Sequence, residues 1–452
     1  MATILQQSEI SPGPDSAPEF SLPLVFFDML WHGFAANQCL LFFEFPCSKS
    51  HFLETLVPDH KSSLSLTLSQ FLPLVGKIIY PRKPGNKPVL HYESGNSVSF
   101  TVSESTTDLK LLTGNRPRKC DELYAFAPHL PPATSSENSV SCPVLALQVT
   151  LFPGQGVCIG SVTHHVVADA STLVSFVRAW ALINRSRPNR ADNIHDPLTQ
   201  GNLLLFYDRK FATNHNVLDE IYFDVIVESS CHAEPPPVEI PINKLRATFV
   251  VKKEEIQKLK NFILGKCRAS IGHLSSFAIV SALVWVCSAK SAPLSGEDVP
   301  DDEPEYFCFV ADCRERLNPP LSANYFGNCL APVMAELKHA EVKGDDGLVM
   351  ATKAIGGAIK ETIYNEKGIL NGVEKWPEEY KKVFGKRQIA VAGSPKFDFY
   401  PADFGWGKPK KFEGLFIDEG GSISLCKSRA FEGALEIGLS KETVHMDAFT
   451  SV

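Results

Sequence analysis

The stretch QGVCIGSVTHHVVADAST, residues 155–172, decides how the rest of the chain reads. Val157 to Val162 is a short apolar run with the composition of a buried strand. It delivers His164 and His165 side by side, then Asp169 in the spacing His-x-x-x-Asp. Neighbouring side chains on a strand point to opposite faces, so only one of the two histidines can face a given cavity. An imidazole titrates near neutrality and can take a proton from a hydroxyl or thiol, which makes His165 a candidate general base. A nearby carboxylate can hold a ring or a loop in place. Taken alone, the pattern also fits a structural histidine at a strand end, since the chain has 13 histidines.

At 452 residues the chain suggests about two to three domains or one large α/β body. Apolar residues make up 44%, enough to bury a sizeable core. The net charge of −7 and the absence of a polybasic tract argue against nucleic acid, so an anionic ligand needs a local basic patch. The 12 cysteines form no C-x-x-C pair, and several, such as Cys158 and Cys287, sit inside apolar runs. They read as small buried hydrophobes in a reducing compartment, with no metal centre expected. The first residues have no basic segment followed by an apolar core. The apolar stretch from Phe20 to Phe43 is broken by Pro23, Asp28, His32, Asn37 and Gln38. Neither a signal peptide nor a membrane span is expected, and the reading is a soluble cytosolic protein.

Along the chain, strands are expected at Cys39–Phe45, Val89–Tyr92, Val98–Val102, Leu145–Leu151 and Val157–Thr163. His51 to Leu72 has helical spacing that Pro58 is expected to split in two. Ser171 is a good N-cap for a helix through about Asn184, with Leu173, Phe176, Val177, Trp180 and Ile183 on its apolar face. The polar, proline-rich segment 191–242 reads as a crossover loop between an N-terminal domain, 1–190, and a C-terminal domain, 243–452. The second half opens with a strand, Arg246–Val251, and a helix stopped at Gly265. Ser275 or Ser276 caps an apolar helix, and a meander runs from Gln388 to Leu439. The closing segment after Leu435 reads as short, as if an edge of the second domain were trimmed.

Four further stretches stand out: Asp403-Phe404-Gly405-Trp406-Gly407, Ala311-Asp312-Cys313-Arg314, Asn324–Cys329 (NYFGNC) and Ala392–Lys396 (AGSPK). Two glycines around a tryptophan imply a tight backbone under a large ring. Arg314 is a fixed cation suited to a buried carboxylate. HHVVAD followed far downstream by DFGWG resembles the plant BAHD acyl-CoA-dependent acyltransferases. LPLVFFD, PLVGKI, VRAWA, LRATF and DCRERLNPP support the resemblance over almost the whole chain, and YFGNC resembles the clade that acylates flavonoid and phenolic glucosides.

The resemblance implies an α/β (α+β) fold of two chloramphenicol-acetyltransferase-like domains, each a mixed sheet with helices, with a solvent channel between them. His165 would be the base at mid-channel and Asp169 with Arg314 a structural pair. Asp403, Phe404, Gly405, Trp406 and Gly407 would form a structural turn. Acyl-CoA would enter as co-substrate along Ser275, Ser276, Ser394, Pro395, Lys396 and Lys253, with no cofactor or metal. The expected reaction moves malonyl from malonyl-CoA to a sugar hydroxyl of a flavonoid, anthocyanin or other phenolic glucoside, with Arg178 meeting the malonyl carboxylate. The same fold with an aromatic acyl-CoA donor is the alternative. A non-catalytic relative that binds CoA or a glucoside, and a metal site at His164, His165 and Asp169, are weaker ones. Adjacent strand histidines diverge, which disfavours joint ligation.

Overall fold

A computed structural model describes residues 2–14, 16–83, 86–186, 205–209, 216–229, 236–267, 274–418 and 420–452. Half of the expected crossover, and the residues immediately before Leu274, lie outside the described residues.

The apolar run becomes the strand Gly156–Thr163, buried along nearly all its length in a six-stranded sheet. In sheet order the strands are Ala2–Ile10, Val98–Ser105, Leu145–Phe152, Gly156–Thr163, Asn37–Glu44 and Lys411–Gly414. The pairings are antiparallel except between Val98–Ser105 and Leu145–Phe152. Gly160 is required here, because a Cβ would collide with the Phe126 carbonyl. A seven-stranded mixed sheet follows the order Leu330–Lys338, Pro304–Asp312, Gln388–Val391, Ser422–Lys427, Leu435–Glu442, Lys244–Val251 and Arg118–Lys119. A five-stranded sheet of short strands flanks the first half.

The expected boundaries 1–190 and 243–452 do not partition these sheets. Lys411–Gly414 leaves the second half to pair with Asn37–Glu44, and Arg118–Lys119 leaves the first half to pair with Lys244–Val251. The two exchanged strands are tied by buried charge: Glu413 meets both Arg118 and Arg246, and Arg246 also meets Asp418. The C-terminal strands are therefore no simple meander. Gln388–Val391 pairs in parallel with a strand on either side before the chain crosses to the other sheet. Leu435–Glu442 lies inside the seven-stranded sheet rather than at its edge, and the helix Thr443–Ser451 after it buries Met446 and Phe449.

Other expectations need local correction. Pro58 does not split the helical run: Lys49–His51 continues through a π turn, Phe52–Leu56, into Val57–Leu68. Proline lacks an N–H and clashes with the carbonyl four residues back, and a wider turn accommodates both. Gly265 does not stop its helix, which runs from Lys253 to Lys266. Part of the presumed crossover loop is a helix, Asn216–Ser229. Its Tyr222 is buried and donates to the Val373 carbonyl at 2.7 Å. Its Asp219 accepts from the Phe26 N–H at 2.8 Å. Among the described residues no helix is long and apolar enough to cross a membrane, and the described cysteines are free thiols.

Candidate active site

The strand Gly156–Thr163 ends where its histidines begin, and the two rings part company. His164 is 2% exposed, and its Nδ1 accepts from the Val166 N–H at 3.3 Å. His165 is only partly buried. Its Nδ1 is enclosed by the protein. Its ring lies flat against Trp31, with centroids 4.2 Å apart and planes within 4°. Burial pushes the His165 pKa down to about 4, against smaller upward pulls from its own carbonyl, Asp169 and Asn328. Burial, with His32 and His165 adding to it, takes His164 to about 3. Both rings are therefore neutral near pH 7, and a neutral Nε2 can accept a proton.

Asp169, rather than Ser171, caps the following helix, Ala170–Arg185. Its Oδ1 accepts from the Thr172 N–H at 3.0 Å. The carboxylate also takes a bidentate pair from Arg314, at 2.8 and 3.1 Å, and the Cys329 N–H at 3.3 Å. Arg314 is 1% exposed. Burial alone would lower its pKa, and Asp169 more than reverses that. The guanidinium also donates to the carbonyls of Tyr325 and Gly327 at 3.1 and 3.0 Å. The Asp169 carboxylate is thus committed to the first turn of its own helix, to the Cys329 N–H and to Arg314.

Asp28 forms a second buried layer. It accepts from the Val25 N–H at 3.2 Å, the Asn328 N–H at 3.1 Å and Arg209 at 3.2 Å. Burial raises its pKa, and Arg209 and the hydrogen bonds oppose that. The Asn328 side-chain amide donates to the carbonyls of His165 and Val166, each at 3.0 Å. Trp31, Asp28 and Asn328 were not assigned roles from sequence. The available signals were Asp28 closing an apolar run and Asn328 inside NYFGNC.

The DFGWG turn docks on the first half of the chain, against Phe43, His60, Trp180 and Asn184. Asp403 Oδ1 accepts from the N–H groups of Gly405 and Gly407 at 2.8 and 2.9 Å. Both glycines have positive φ, +97° and +83°, where a side chain is strained. His60 stacks on Phe404 and Trp406, at 5.4 and 4.8 Å between ring centroids. The Asn184 side chain donates to the Phe404 carbonyl at 3.0 Å.

The remaining expected residues are more scattered. Ser275 caps the helix Ser276–Ser291, accepting from the Ala278 N–H at 3.2 Å. Ser394 Oγ accepts from the Lys396 N–H at 3.2 Å, Lys396 is exposed, and Pro395 is partly exposed. Lys253 is exposed at the start of its helix. Arg178 lies on the exposed face of Ala170–Arg185, eight residues or about 12 Å of helix axis beyond Ala170. The apolar residues around it turn the opposite face inward, so this placement gives no support to a carboxylate site beside His165. A cavity of about 1070 Å³ lined by Lys110, Arg116, Lys119, Lys411 and Arg429 includes none of these residues. Among the described residues no three His, Cys, Asp or Glu side chains converge as metal ligands.

Comparison with known proteins places this geometry. Residues 1–451 match the Transferase family. The chain belongs to that family, the BAHD acyltransferases that its motifs resemble. As a member it is an acyl-CoA-dependent O-acyltransferase. It is 39% identical to the malonyl-coenzyme:anthocyanin 5-O-glucoside-6'''-O-malonyltransferase of Salvia splendens, over 100% of this chain and 94% of that one. It is also 39% identical to phenolic glucoside malonyltransferase 1 of Nicotiana tabacum, over 94% and 92% of the two chains. A coumaroyl-CoA:anthocyanidin 3-O-glucoside-6''-O-coumaroyltransferase of Arabidopsis thaliana is 33% identical over 99% and 96%. The crystal structure of vinorine synthase superposes with a TM-score of 0.70 at 19% identity, over 99% of this chain and 96% of that one. The fold is the expected two-part, chloramphenicol-acetyltransferase-like arrangement.

Proposed function

We propose that the protein moves malonyl from malonyl-CoA to a sugar hydroxyl of an anthocyanin, flavonoid or other phenolic glucoside, with His165 as the general base. The observation that carries the base assignment is the His165 ring itself. It is neutral near pH 7, its Nδ1 is enclosed, and the residue as a whole is only partly buried. The malonyl donor is supported by full-length relatives of that activity at 36–39% identity, against 33% for the coumaroyl-transferring relative.

The chemistry follows from the groups present. A sugar hydroxyl is a weak nucleophile until its proton leaves. His165 Nε2 accepts that proton as the oxygen attacks the thioester carbonyl, a role that typically contributes about 10²–10⁴-fold. The tetrahedral intermediate collapses with cleavage of the C–S bond, and the proton passes from His165 to the departing thiolate. Ester and free CoA thiol result, with no covalent enzyme intermediate and no cofactor. Holding both substrates together in a passage past His165 supplies proximity. Donor phosphates are assigned to Ser275 and Ser276 at their helix N-terminus, and Ser394, Pro395, Lys396 and Lys253 are assigned to the same donor. The setting is a cytosolic monomer.

The test is a matrix of malonyl-, acetyl-, coumaroyl- and caffeoyl-CoA against phenolic and anthocyanin glucosides, read by thiol release and product mass. A malonyl ester formed only when both substrates are present is the expected result. Preferential coumaroyl ester formation would move the donor to the aromatic class. CoA or glucoside binding without turnover on any pair would remove the enzymatic reading.

A further inference from the structure

His165 is fixed from two sides by groups that share one anchor, Asp28. The Asp28 carbonyl accepts from the Trp31 N–H at 3.1 Å, which sets the turn that lays the indole flat on the imidazole. Phe34 meets the Trp31 ring edge-on at 5.3 Å, so the indole is braced as well. The Asp28 carboxylate accepts from the Asn328 backbone N–H and, at 3.3 Å, from its side-chain amide. That amide is surrounded by three acceptors, the His165 and Val166 carbonyls and Asp28, which fixes the nitrogen on that side. Asn328 is fully buried, and its side chain also acts on the His165 ring, whose pKa it pulls upward. Arg209 closes the layer by pairing with Asp28 and lying over the Tyr325 ring at 5.0 Å.

We propose that Trp31 and Asn328 are positioning residues for the His165 base, Trp31 holding the plane of the ring and Asn328 the main chain that carries it. This rests on His165 being the base of the reaction proposed above. Neither residue has to touch substrate. Each acts by keeping Nε2 aimed, and a misplacement of about 1 Å at a reacting group costs on the order of 100-fold in rate.

Trp31→Leu, Trp31→Phe and Asn328→Leu are compared with wild type for kcat, for KM of each substrate, and for melting temperature. Trp31→Leu and Asn328→Leu are expected to lower kcat on the order of 10–100-fold with both KM values nearly unchanged. Trp31→Phe, which keeps a flat ring, is expected to recover most of the loss. Wild-type kcat in Trp31→Leu, or a loss confined to KM, overturns the proposal, as does a Trp31→Phe enzyme no better than Trp31→Leu. If Trp31→Leu does not fold, Asn328→Leu carries the same comparison. The rate of His165 carbethoxylation by diethyl pyrocarbonate, mapped by mass spectrometry, is followed in parallel and needs no turnover. A faster rate in the leucine variants is expected, and an unchanged rate overturns the positioning role. A wild-type protein with no turnover would instead sink the functional reading and leave this readout intact.

Discussion

Asp169 and Arg314 meet as a bidentate pair at 2.8 and 3.1 Å, with both side chains almost wholly buried. The contact joins the end of the histidine strand in one sheet to the loop after Pro304–Asp312 in the other. Asp169 also caps its own helix and holds the Cys329 N–H, so one carboxylate serves three segments.

Removing either partner strands a buried charge. Asp169→Ala and Arg314→Ala are each expected to lose about 3–5 kcal/mol of stability. The double variant should lose clearly less than the two together, because it strands no charge. Denaturant midpoints of the four proteins give the coupling directly. Additive losses would mean that the pair is not the unit described here.

His165 behaves oppositely. The residue is only partly buried and its ring is neutral near pH 7, so removing it strands no charge. His165→Ala should drop kcat by about 10²–10⁴-fold without a matching fall in stability. His164→Gln, at the neighbouring ring buried on the other side, should keep kcat within the same order of magnitude. Steady-state kinetics beside thermal melts separates the two histidines. Near-wild-type turnover by His165→Ala would end its assignment as base.

Periodicity served well where one face of an element is simply buried. The strands at Leu145–Phe152 and Gly156–Thr163 and the helix Ala170–Arg185 lie within a residue or two of their expected bounds. It failed where a long-range partner decides. Ser171 is a good cap by composition, but Asp169 takes the role because Arg314 and Cys329 already orient its carboxylate. The exchange of Lys411–Gly414 into the first sheet leaves no local mark, since a four-residue strand carries little pattern. Trp31 was invisible for a similar reason. Nothing in DMLWHG says that the indole will lie on an imidazole 134 positions later.

The DFGWG turn is predicted to matter for folding rather than for chemistry. Phe404 is 2% exposed among Phe43, His60 and Trp180. Phe404→Ala should cost about 3–5 kcal/mol through the cavity it leaves. Gly405→Ala, at φ +97°, should cost about 1–2 kcal/mol through backbone strain alone. In both, kcat per folded molecule should stay close to wild type once activity is normalised to the native fraction by titration of the unfolding transition. A kcat loss that survives this normalisation would give the turn a direct part in the reaction.

The two histidines make opposite statements about pH for stability and for rate. Burial holds His165 at about 4 and His164 at about 3, below the ordinary 6.5. As pH falls below 6.5 the unfolded chain gains protons at both rings while the folded chain takes up almost none until near pH 4. Their contribution to stability is therefore complete above about pH 6.5 and is lost as pH falls toward the folded values, at up to about 1.4 kcal/mol per pH unit for each ring. The rate follows the folded value instead, because Nε2 stays free until His165 itself titrates. The acid limb of kcat/KM should thus centre near 4, with rate held at pH 5.5 even as the urea midpoint drops. Initial rates after brief acid exposure, set beside urea titrations at pH 7 and pH 5.5, test both halves. An acid limb centred near 6.5 would show that the His165 ring is not desolvated in the working enzyme.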